Sequence, residues 1–215
     1  MSVKAKICGL NHAAAVAAAV AGGASHVGFV FYPPSPRNVD PLKAASLAAS
    51  VPAGIVKVGL FVDASDEDIA RTLAEAKLDM LQLHGDETPR RVKDVRRRFG
   101  KPVMKALRVA SAADIAAADE YLPAVDWLLF DAKPPPEMKN ALPGGNALSF
   151  DWSLIAGRGW SKPWMLSGGL NAGNLAEAVR TTRAKVVDVS SGVEDSPGRK
   201  SPEKIGAFLK LAASL

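Results

Sequence analysis

The chain holds one cysteine among its 215 residues, Cys8, in the stretch "KICGL". A thiol acts as a base or nucleophile only as its thiolate, so a working Cys8 needs cationic neighbours, and Lys6 stands two positions away. Asp131, in "FDAK", is a carboxyl of the type that can transfer a proton. A thiol and a carboxyl on two sides of one small substrate would make a proton-transfer pair. Each also has an ordinary reading. A lone cysteine serves as a small buried hydrophobe, Asp131 as a loop-start or capping residue, and His84 in "QLHG" as a structural imidazole. Metal binding fits less well, because one cysteine and three histidines show no zinc-site spacing.

Two glycine-bearing turns add a second kind of chemistry: "LSGGLN" with Gly168 and Gly169, and "SSGVEDSPG" with Ser191 and Gly192. Glycine lets backbone approach a ligand closely, and a helix start beyond it supplies free N–H donors. The turns could equally be tight connections and nothing more.

These residues matter only if the fold gathers them. Apolar, β-rich runs at 3–9, 26–31, 55–62, 79–85, 102–109, 126–133, 163–169 and 185–192 alternate with helical runs. The helical runs lie at 12–23, 41–51, 65–77, 88–100, 111–122, 151–157, 171–182 and 201–215. Ser65, Asn171 and Ser201 sit at helix starts, Asp66, Glu67 and Asp68 suit a first turn, and Pro202 suits the first helical position. The strands are apolar enough to be buried on both faces, which means a parallel sheet. Eight strand–helix units predict a closed (β/α)8 TIM barrel of the phosphate-binding type, one domain over 1–215. No GxGxxG follows the first strand, which weakens a dinucleotide fold. The longer loops, 32–40, 134–150 and 194–200, all follow strands and so belong to the catalytic face.

Alternate strand residues share a face. With Val3, Ala5 and Ile7 toward the helices, Lys4, Lys6 and Cys8 face the interior, and Cys8 reaches the rim. Asp131 tops the sixth strand. Gln82 and His84 on the fourth strand and Asp188 on the eighth can point inward, with Asp188 near Lys6 and Cys8 after closure; His84 and Asp188 are candidates to face substrate. The glycine turns follow strands seven and eight, where such barrels recurrently bind phosphate.

The bulk composition is that of an ordinary globular protein, 48% hydrophobic and 23% charged. One cysteine cannot form an internal disulfide, and the N-terminus lacks a signal-like apolar run, so a cytoplasmic setting is expected. No stretch is apolar for long enough to span a membrane. The net charge of +5 suits an anionic small substrate. The basic run 89–101 reads as a solvated helix face and not as a nucleic-acid patch, since no aromatics interleave. Monomer and homodimer both remain open.

"KICGL", "GFVF" followed by "SPR", "VGLFV", "QLHG", "FDW", "LSGGLN", and "VDVSSGVE" followed by "PGRK" occur in that order over essentially the whole chain. The ordered set closely resembles the phosphoribosylanthranilate isomerase family of tryptophan biosynthesis. The resemblance implies an Amadori rearrangement of N-(5-phosphoribosyl)anthranilate, with no metal or cofactor. It also implies Cys8 as general base, Asp131 as general acid, Arg37 in "SPRNV" as the contact for the anthranilate carboxylate, and "LSGG" with "SSG" as the phosphate cradle. Members often read GGTG or GGSG before FDW; here "PGGNALSFDW" replaces the usual second glycine around Asn146 and Ala147, which bears on that loop's conformation.

Two other readings compete. A related phosphosugar isomerase of histidine biosynthesis would use a carboxylate at the Cys8 position and show two similar half-chains; no convincing half-chain repeat is present. A non-catalytic barrel binding a phosphorylated ligand would keep the glycine turns without needing Cys8 and Asp131.

Overall fold

Eight parallel strands pair in sequential order and close through β1 and β8 in the computed structural model, which describes residues 2–139 and 141–215. They are β1 (Lys4–Cys8), β2 (His26–Phe31), β3 (Val56–Phe61), β4 (Met80–Leu83), β5 (Val103–Val109), β6 (Trp127–Ala132), β7 (Trp164–Leu166) and β8 (Val186–Val189). Residue 140, inside the long loop expected over 134–150, lies outside the described residues. The helices are α1 (Ala13–Ala21), α2 (Pro41–Ala49), α3 (Asp66–Glu75), α4 (Pro89–Phe99), α5 (Ala112–Ala116), α6 (Ala118–Tyr121), α7 (Leu175–Thr182) and α8 (Pro202–Ser214).

The expected phase of β1 holds at its buried positions, while Lys4, expected to face the interior, is exposed at the start of the strand. Val3, Ala5 and Ile7 pack in the core between sheet and helices, while Lys6 is fully buried inside the barrel and Cys8 packs with Val30 and Leu60. Val58, Met80, Met104, Ala106, Leu129, Met165 and Val186 form a separate cluster, a packed layer of strand side chains. Helix starts follow their caps: Ser65 accepts from Asp68 N at 3.1 Å and Ser201 from Lys204 N at 3.4 Å, with Pro202 behind it.

Three local expectations fail. The segment 151–157 forms only a 3-10 turn, Trp152–Leu154, so among the described residues the sixth strand has no full helix after it. Gly157, at φ +72, breaks the run before a helix can pay its nucleation cost. Helix α7 starts at Leu175 instead of 171, because Asn171 and Asn174 are spent on the preceding turn, both donating to Gly169 O. The loop 194–200 contains a small antiparallel hairpin, β9 (Glu194–Ser196) and β10 (Arg199–Lys200). On α4, Arg91 and Arg98 reach Asp66, Arg96 reaches Asp126 and Arg97 reaches Asp94, the ion pairs of a solvated face.

Candidate active site

β1 pairs with β8 so that Lys6 stands opposite Asp188, and with β2 so that Cys8 stands opposite Gly28. The Lys6 ammonium donates to Asp188 Oδ1 at 2.7 Å, and Ser167 Oγ, just beyond β7, donates to Asp188 Oδ2 at 3.1 Å. Gly28 leaves the room these groups need: a Cβ there would lie 3.0 Å from Cys8 Sγ and 3.3 Å from Lys6 Cε. Burial pulls Lys6 toward losing its proton, but Asp188 and Cys8 outweigh this and raise its pKa, so it stays an ammonium. Burial, joined by the Asp188 carboxylate, pushes the Cys8 thiol up, against Lys6 and Lys200, which pull it down.

Across the mouth, Asp131 is the penultimate residue of β6. Its Oδ1 accepts from Ala132 N at 2.9 Å, and its Oδ2 lies 3.2 Å from His84 Nε2. That approach is close but off-line, and Nε2 makes no hydrogen bond among the described residues. His84 Nδ1 is 3.0 Å from the amide nitrogen of Gln82, which is fully buried. The loop after β6 closes over the pair at Gly144, where a Cβ would come within 2.6 Å of Asp131 Oδ2 and 2.8 Å of the His84 ring.

Arg37 enters from the loop after β2 and lies across Gly9, whose φ is +77 and whose Cβ would meet Arg37 Cδ at 2.7 Å. Its Nε and Nη2 donate to the two oxygens of Glu194, both at 2.8 Å, and Nη2 also donates to Gly145 O at 3.1 Å. The side-on edge of the Arg37 guanidinium is therefore held by Glu194. Lys200 Nζ donates to Glu194 Oε1 at 2.7 Å and to Ser190 O at 2.9 Å. Burial brings the Lys200 pKa down to about 8 against the pull of Glu194. Glu194 and Lys200 sit on the β9–β10 hairpin, which packs Gly198 against Pro36 and accepts from Asn11 Nδ2 at Gly198 O, 2.8 Å. The loops after β1, β2 and β8 are thereby tied together.

The two glycine turns converge on the same mouth. Gly168 (φ +91) and Gly169 (φ +60) need left-handed backbone, and the amides of Gly168, Gly169, Ser191 and Gly192 have no acceptor among the described residues. Gly192 packs so tightly on the Leu170 carbonyl that any side chain would overlap it.

One cavity of about 720 Å³, open mouth included, is lined by Cys8, Arg37, His84, Asp131, Asp188, Gly168, Gly169 and Ser191. Of the predicted site residues only Gly192 falls outside this lining. Val30, Tyr32, Leu60, Val62, Leu142 and Leu148 give the cavity an apolar wall. Acid, thiol, cation and amide donors thus surround a space with one greasy side. Glu194 and Lys200, carried by "VE" and "GRK", are not marked as site residues by their local sequence, because the glycines and serines around them are the feature that points to a ligand. The strand pattern places Gln82 inward without giving it work. Among the described residues no cluster of three or more His, Cys, Asp or Glu is arranged to hold a metal ion, and no helix is long and apolar enough to cross a membrane.

A family model described as N-(5'phosphoribosyl)anthranilate (PRA) isomerase matches residues 5–211. The N-(5'-phosphoribosyl)anthranilate isomerase of Rhodospirillum centenum is 60% identical over 215 residues, covering 100% of both chains. Phosphoribosyl anthranilate isomerase from Thermotoga maritima has a similar structure, with TM-score 0.88 and 36% identity over 99% of this chain and 100% of that one. A crystal structure of phosphoribosyl anthranilate isomerase in complex with reduced 1-(o-carboxyphenylamino)-1-deoxyribulose 5-phosphate aligns with TM-score 0.83 and 33% identity, over 99% and 100% of the two chains.

Proposed function

The chain belongs to the phosphoribosylanthranilate isomerase family, and from that premise we propose how its own residues divide the work of the reaction. The enzyme converts N-(5-phosphoribosyl)anthranilate into 1-(2-carboxyphenylamino)-1-deoxy-D-ribulose 5-phosphate, an aldose–ketose isomerisation in tryptophan biosynthesis. The observation that carries the assignment is the single cavity holding Cys8 and Asp131 together with the glycine turns.

Asp131 acts first. Its carboxyl proton goes to the furanose ring oxygen as the C1–O bond breaks and the nitrogen lone pair forms the C1=N bond. The protonated imine acidifies C2–H. The Cys8 thiolate takes that proton, and the C2–H electrons form the C1=C2 bond of an enolamine while nitrogen regains its lone pair. The enolamine then tautomerises, losing its O2 proton and gaining one at C1, to give the ketose. No covalent bond to sulfur is required. Lys6 favours the thiolate electrostatically, and Asp188 serves by keeping Lys6 charged, with its carboxylate also facing the cavity.

Substrate binding uses the rest. The amides of Gly168, Gly169, Ser191 and Gly192 receive the phosphate. The aromatic ring lies against Val30, Leu60, Val62, Leu142 and Leu148, and its carboxylate meets Arg37 through Nη1, the guanidinium nitrogen that Glu194 leaves free. His84 contacts substrate beside Asp131. The free thiol of Cys8, which this chemistry needs reduced, supports a cytoplasmic setting.

The test is turnover of N-(5-phosphoribosyl)anthranilate, followed by loss of its fluorescence, against the phosphoribosyl substrate of histidine biosynthesis. We expect turnover of the first. Turnover of the second alone, or phosphate-ligand binding without turnover of either, would overturn the reading.

A further inference from the structure

Once Asp131 has given up its proton, a carboxylate is left in a buried site, and a donor already aimed at it lowers the barrier as the charge develops. Oδ1 has the Ala132 amide. Oδ2 has one candidate within reach among the described residues, His84 Nε2 at 3.2 Å. Whether Nε2 is a donor or a bare lone pair depends on what stands at the other ring nitrogen.

That neighbour is Gln82. It is fully buried in β4, with its amide nitrogen 3.0 Å from His84 Nδ1, while its Oε1 makes no hydrogen bond among the described residues. Three features of this corner belong together: an amide N–H spent on a ring nitrogen, a buried amide oxygen left alone, and a buried Nε2 with only Asp131 before it. An unpaired buried carbonyl costs stability, so its presence needs a reason.

We propose that Gln82 is a positioning residue for the isomerisation: its amide N–H, donated to Nδ1, holds His84 neutral with the ring proton on Nε2, aimed at Asp131 Oδ2. The proposal rests on the assignment of Asp131 as the acid. A donor at Nδ1 disfavours both alternatives, the imidazolium and the Nδ1–H tautomer, because each would set N–H against N–H. With the amide reversed, Oε1 would accept from Nδ1–H and Nε2 would turn its lone pair on the carboxylate, repelling the ion at the moment it forms. The off-line contact in the free enzyme fits a donor held ready for a charge not yet present. Gly144, whose backbone covers both groups, leaves no side chain to compete for Nε2.

The test starts from the unliganded wild-type protein. Histidine labelled with 15N reports the protonation of each ring nitrogen, and with three histidines in the chain the His84 signals are those missing in His84→Gln. The expected result is a neutral His84 with its proton on Nε2. A second experiment uses Gln82→Met, similar in shape but without a donor. It should give mixed tautomers at His84 and a kcat lower by about tenfold, with KM and the melting temperature little changed. A proton on Nδ1 in the wild type, or a kcat within about twofold of wild type in Gln82→Met, would overturn the proposal. If the variant does not fold, the wild-type spectrum still decides. Failure of the acid assignment reads out separately, as retained turnover in Asp131→Asn.

Discussion

Arg37 and Glu194 meet side-on inside the protein, Nε and Nη2 each 2.8 Å from one carboxylate oxygen. Glu194 also holds Lys200 at 2.7 Å, so one carboxylate serves two buried cations. The arrangement is asymmetric. Removing Arg37 leaves Glu194 with Lys200, whereas removing Glu194 strands two charges, and an uncompensated buried charge costs about 3–5 kcal/mol.

Arg37→Ala should therefore raise KM for substrate by about tenfold or more, with a modest fall in melting temperature. Glu194→Ala should lower the melting temperature by at least about twice as much. Thermal unfolding beside steady-state kinetics on both variants checks this. An unchanged KM in Arg37→Ala with normal folding removes that residue from substrate binding.

The phosphate assignment is tested by an anion and not by substitution, because a side chain at Gly192 would displace the Leu170 carbonyl whatever binds there. Inorganic phosphate should compete with substrate, and in a crystal it should sit on the amides of Gly168, Gly169, Ser191 and Gly192. Density for it at the opposite end of the barrel would refute the cradle.

Much of this was legible in the sequence, and the reasons are local. Period-two patterning around Cys8 fixes its face, and the same count sends Lys6 inward, where Asp188 meets it in the β1–β8 register. The caps Ser65 and Ser201 announce their helices. The failures occur where side chains act at a distance. Nothing near Arg37 foretells Glu194, 157 positions away, because their meeting depends on a hairpin closing over another loop. Asn171 resembles a cap, yet the backbone it serves is its own turn. The departure around Asn146 and Ala147 has a physical trace. Ala147 keeps φ at +58, the left-handed backbone a glycine would adopt, at a cost of about 1–2 kcal/mol. The Asn146 side chain closes the loop by bonding both the N–H and the carbonyl of Leu142.

His26 gives the fold a pH dependence. Burial, with help from Lys6 and Lys4, lowers its pKa from 6.5 to about 4. Below pH 6.5 the unfolded chain takes up a proton that the folded chain refuses until about pH 4, so stability falls as pH drops through that window. The loss should approach roughly 3 kcal/mol. Denaturant unfolding at intervals across the window should show this slope in the wild type and a flatter one in His26→Gln. Equal slopes would assign the acid sensitivity elsewhere.

The raised pKa of Cys8 makes a similar commitment for reactivity. Alkylation of Cys8 by a small neutral reagent should accelerate with pH and reach half its limit above the ordinary thiol value, about 8.5. A plateau already reached at neutral pH would mean that Lys6 wins over burial and the resting group is a thiolate.

The division of labour between Cys8 and Asp131 is most directly measured by turnover in Cys8→Ser and Asp131→Asn, each compared with wild type and checked for folding and for binding of a reduced product analogue. A serine hydroxyl barely ionises, and an asparagine has no carboxyl proton to give, so each variant should lose about two to four orders of magnitude in kcat while binding the analogue normally. Near wild-type turnover in Cys8→Ser would contradict the account and return that cysteine to the role of a small buried hydrophobe.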